Sequence, residues 1–206
     1  MALEVSTLPT GALGDHPIRT FTVPARITGT ATARCFGILT GPPLADGRPH
    51  RPHATRASLD HLVTAIENIA ASPDFPSEPT AWFPAFVTRV HDQLKRAPSD
   101  MLTGACMGLA WSTGDRVRVV LTAAGAATAL LVRGAVADRS GTIAPLTEAD
   151  RTSPDAPQAL EFRHAMEGAI GAHDALIVGP AHLVDAVPAQ VLIRAFATTD
   201  GRTDLQ

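Results

Sequence analysis

Apolar residues recur with two different periods along this chain, and the change of period marks its organisation. Phe21–Ile27 and Ala33–Leu39 are rich in β-branched residues and flank a Gly29-Thr30 turn signal, which predicts two strands. Leu59, Leu62, Val63, Ile66 and Ile69 then line one face of a helix, with Ser58 as its N-cap candidate. Phe83, Phe86, Val87, Val90 and Leu94 repeat that pattern after Thr80, with Pro84 tolerable near the first turn. The ASPDFPSEP stretch between the two helices is a breaker. From Leu102 the period shortens. Met107–Trp111, Arg116–Leu121, Ala129–Arg133 and Ala135–Asp138 are short β-type runs separated by turn signals, which predicts an antiparallel meander. A helix over Gln158–Ile170, a strand over Ala175–Val178 and a helix over Leu183–Phe196 disturbed by Pro188 complete the expected order.

Strand pairs, two helices, a meander and late helices together make an α+β layered domain. Residues 1–20 lack periodicity and read as an N-terminal tail, which leaves residues 21–206 as one domain. The loop Thr40–Arg56, TGPPLADGRPHRPHATR, is long for a compact domain.

Composition narrows the field by exclusion. Hydrophobic residues make up 45% of the 206, enough for a sizeable core. The 17 Lys+Arg against 20 Asp+Glu give a net charge of −3, with no electrostatic footprint for nucleic acid and no polybasic membrane signal. Cys35 and Cys106 form neither a disulfide framework nor a CxxC motif. Lys95 is the only lysine and tyrosine is absent, a bias expected of a GC-rich bacterial coding genome. Met1–Asp15 carries no basic n-region or apolar h-region, and apolar runs such as Thr122–Val132 fall short of the roughly 20 residues of a membrane span. A soluble, cytoplasmic protein is therefore expected.

The run from Leu102 to Val136, LTGACMGLAWSTGDRVRVVLTAAGAATALLVRGAV, resembles the central hairpins of the metal-dependent Ser/Thr protein phosphatases of the 2C type. That family has a Gly-Thr-Thr strand, a Gly-Asp turn, a strand running into Gly-Asp-Ser-Arg, and an apolar-Arg-Gly end. Gly104, Gly114-Asp115, Gly125 and Arg133-Gly134 match those landmarks. Upstream, CFGILTGPP is similar to the strand that ends in the family's Ala-Asp-Gly metal motif, with Gly41 keeping the glycine. Downstream, HDALIVGPAHLVDAV resembles the segment ending Leu-Cys-Ser-Asp-Gly-Leu-Thr-Asp, with Leu183 and Asp185 at its last apolar and acidic positions. The closing GRTDLQ is similar to a remnant of the family's terminal Asp-Asn motif.

The resemblance implies an αββα sandwich of antiparallel sheets flanked by helices, and water activated between two divalent cations. Mg²⁺ or Mn²⁺ would need several converging carboxylates. The aligned positions lack them: Thr40 stands for the Asp-Gly aspartate, Ala126, Ala127 and Thr128 for the Asp-Ser-Arg, and Ala181-His182 for the Ser-Asp-Gly pair. No Asp or Glu lies between Asp15 and Asp46, where the first strand should supply an acid, and Arg26 is a stand-in for its arginine. The implied protein is a pseudophosphatase without metal, cofactor or catalytic residues, acting as a binding or regulatory module. Its degenerate groove, Thr40, Gly41, Gly125–Thr128, Ala181 and His182, would dock a protein partner or a small ligand. An unrelated α+β domain is one alternative. Another is an enzyme, either a phosphatase with ligands rearranged to Asp46, Asp185, Asp204 and His182, or a different small hydrolase.

Other residues have a chemical and a bland reading. His50 and His53 form H-x-x-H with Asp46 nearby, which suits Zn²⁺ but is more simply a solvated loop. His164, His173 and His182 lie near Asp174 and Asp185, where a His–Asp pair would serve as general base, or merely cap and solvate. Cys35 and Cys106 are expected to be buried apolar residues rather than nucleophiles. Trp82, Phe83 and Phe86 form an aromatic face that is either core or a surface for a partner or a homo-oligomer. No Gly-x-Ser-x-Gly, P-loop or Gly-x-Gly-x-x-Gly motif is present.

Overall fold

A computed structural model describes residues 17–30, 32–42, 56–114, 116–134, 141–147, 160–162 and 165–197. They form an α+β domain with two antiparallel sheets. The first five-stranded sheet has the order β1-β2-β3-β4-β7, from β1 (Ile18–Pro24), β2 (Ala33–Thr40), β3 (Gly104–Thr113), β4 (Arg116–Gly125) and β7 (Met166–Ile170). The second has the order β6-β5-β8, from β5 (Ala127–Arg133), β6 (Thr142–Pro145) and β8 (Ala175–Pro180).

β1 and β2 are the expected first pair, joined through a turn in which Gly29 adopts φ 76°. The strand starts at Ile18, so residues 18–20 belong to the sheet rather than to the tail, and it ends at Pro24, which has no N–H to continue a ladder. Helices α1 (Arg56–Ala70) and α2 (Pro79–Leu94) cover the periodic positions, with Pro79 in the first turn of α2. Their apolar stripes pack on one face of the first sheet. Leu59, Ile66, Phe83, Phe86 and Val90 meet Cys35, Leu39, Met107 and Leu109 there.

Trp82 stacks on Phe86 at a centroid distance of 5.0 Å, and both are essentially fully buried, as is Phe83. The aromatic face is therefore core and is not available as a surface for a partner or a second copy.

β3 is buried on both faces along almost its whole length. Met107 and Leu109 point to the helices, while Cys106 and Ala110 point to the second sheet. Between the sheets, Ile38, Val117, Val119 and Leu121 meet Ala127 and Ala129. On the far side of the second sheet, Leu130, Val132 and Ile177 pack with Leu183, Leu192 and Ile193 of α3 (Leu183–Ala186) and α4 (Ala189–Ala197). The layers thus run helices, sheet, sheet, helices. No helix among the described residues is long and apolar enough to cross a membrane.

Three sequence expectations are corrected. The meander does not continue past β4: the chain leaves the first sheet at Gly125, and β5 opens the second sheet. The helix expected over Gln158–Ile170 is not formed at its end, where Met166–Ile170 is a strand paired with β4. Gly168 weakens a helix there, and the free edge of β4 offers every residue of the segment a ladder partner. The late helix is two helices, because Val187, held extended by the following Pro188, interrupts it. The run Ala135–Asp138 lies outside the described residues.

Candidate functional site

The groove positions singled out in the sequence come from three separate stretches, and the fold brings them to one end of the two sheets. Strand register does this first. Thr40 pairs with Gly104, Gly104 with Gly125, and Ala127 with Pro180. The end of β2, the start of β3, the end of β4, the start of β5 and the end of β8 therefore lie side by side.

Backbone hydrogen bonds then join the stretches. The Thr103 N–H donates to the Thr40 carbonyl at 2.8 Å, the Ala126 N–H to the Thr103 carbonyl at 2.8 Å, and the Ala181 N–H to the Ala126 carbonyl at 2.8 Å. Gly41 donates to the Pro17 carbonyl at 2.8 Å, tying the same end to the start of β1. This relay crosses from the first sheet to the second.

The glycines at this end have a steric reason to be there. Gly125 adopts φ 61°, and a Cβ on it would lie 2.2 Å from the Thr103 carbonyl oxygen. A Cβ on Gly104 would lie 2.6 Å from the Ala127 nitrogen, so the sheets approach too closely there for any side chain.

Apart from the His182 imidazole, the side chains at the site are hydroxyls and methyls. Thr40 is 2% exposed, its Oγ1 3.1 Å from Thr103 Oγ1 and donating to the Gly104 carbonyl at 3.2 Å. Thr103 Oγ1 in turn donates to the Thr40 carbonyl at 3.2 Å. Thr128 is also buried and donates to the Thr147 carbonyl at 3.4 Å, while Thr147 Oγ1 accepts the Ala129 N–H at 2.9 Å. These hydroxyls are turned onto the protein's own backbone. Thr103 and Thr147 were not singled out in the sequence. Thr103 directly precedes Gly104, a position that could have pointed to it, whereas nothing in the sequence marks Thr147.

His182 is half-buried just before α3, and its carbonyl accepts the N–H groups of Asp185 and Ala186 at 3.1 and 2.9 Å. Asp185 is exposed. Asp174 is drawn away from the site: its carboxylate accepts the N–H groups of Gly171 at 3.0 Å and Gly134 at 3.3 Å, closing the turn before β8. Asp46, His50, His53, Asp115, His164 and Asp204 lie outside the described residues. Among the described residues no three His, Cys, Asp or Glu side chains gather as a metal-ligand group.

The cysteines are buried in adjacent strands but on opposite faces of the sheet, Cys35 toward the helices and Cys106 toward the second sheet. Burial pushes the Cys106 thiol up to about 12 and raises that of Cys35 well above its usual range. Neither is an activated nucleophile.

Compared with known proteins, the chain matches no protein-family model and no curated sequence.

Proposed function

We propose that this chain is a catalytically inactive domain of the phosphatase 2C type that works as a binding or regulatory module. One observation carries the reading. Thr40, Gly125–Thr128 and Ala181, which the resemblance aligns with metal-binding motifs, are linked through backbone hydrogen bonds at one end of a two-sheet sandwich. The helix–sheet–sheet–helix layering, with α1 and α2 following β2, is the second support.

At such an end a dinuclear centre would need convergent carboxylates to hold hard cations and to lower the pKa of a bridging water. Threonine hydroxyls that donate to backbone carbonyls, and alanine methyls, supply no negative charge for such cations, and the single imidazole of His182 is not the set of hard oxygen ligands they need. The sandwich is retained as scaffold, and its end serves as a docking surface for a protein partner in a soluble, cytoplasmic setting.

Calorimetric titration with Mn²⁺ and Mg²⁺, paired with a p-nitrophenyl phosphate assay on the same sample, tests this. No binding heat and no turnover are expected. Tight metal binding with turnover abolished by Asp185→Asn or Asp46→Asn would replace the reading with that of an enzyme with rearranged ligands.

A further inference from the structure

We draw no further inference here: the strongest candidate, the exposed strand β7 at the edge of the five-stranded sheet, where Met166 is 45% exposed, is only five residues long and nothing in the structure shows what covers it.

Discussion

The Ala126 N–H donates to the Thr103 carbonyl at 2.8 Å, and this bond sits at the point where the chain passes from one sheet to the other. The same carbonyl is the atom that a side chain at Gly125 would strike. The bond and the glycine are one device: only a residue without a Cβ at φ 61° lets the next N–H turn onto Thr103.

Gly125→Ala should therefore cost more than its left-handed backbone alone, which is on the order of 1–3 kcal/mol, because the clash adds to it. Gly114→Ala is the control: φ is 60°, but nothing lies within 4 Å of its Cβ, so about 1–2 kcal/mol is expected. Urea denaturation of the two variants measures the difference. Equal losses would remove the special role given to the Gly125 crossing.

Thr40→Asp would place a carboxylate in a site that is 2% exposed and faces the Gly104 carbonyl oxygen and the Thr103 hydroxyl. Burial would raise the pKa of the new group, so the variant should be tolerated best when it is protonated. Its stability relative to the parent should fall as pH rises from 4 to 8, with a deficit of about 3–5 kcal/mol at the upper end, typical of an uncompensated buried charge. Thr40→Val, which removes only the hydroxyl bonds, should lose about 1–2 kcal/mol with little pH dependence. Guanidinium melts across that range separate the two.

Phe86→Ala empties the centre of the helix-facing core and ends the stack with Trp82. A loss of about 3–5 kcal/mol is expected, read as a lower thermal midpoint. A loss under about 1 kcal/mol would mean that this face is not the packed core.

Both thiols should stay unreactive to a disulfide reagent until the protein unfolds. The Cys106 thiol is raised by burial from 9.0 to about 12, so the unfolded chain releases its proton first. The corresponding stability is fully present below pH 9 and is lost as pH rises from about 9 toward about 12. Denaturation at pH 8 and pH 10.5 should show this decline, and the Cys35→Ala, Cys106→Ala pair should flatten it.

Much of this was legible in the order of residues. The 3.6-residue period of Leu59, Leu62 and Ile66 and of Phe83, Phe86 and Val90 sets two one-sided helices, and the continuous apolar run of β3 marks a strand covered on both faces. Burial of the cysteines follows from those patterns. These features are local: a helix or a doubly covered strand is written in the spacing of neighbouring side chains. What only the tertiary structure decided depends on partners far along the chain. Met166–Ile170 became a strand because the edge of β4 was free to pair with it, an alignment that joins Arg118 to Glu167 across 49 positions. The convergence of Thr40, Thr103, Ala126 and Ala181 likewise depends on register and on one left-handed glycine, because hydrogen-bond partners between sheets leave no period in the sequence that joins them.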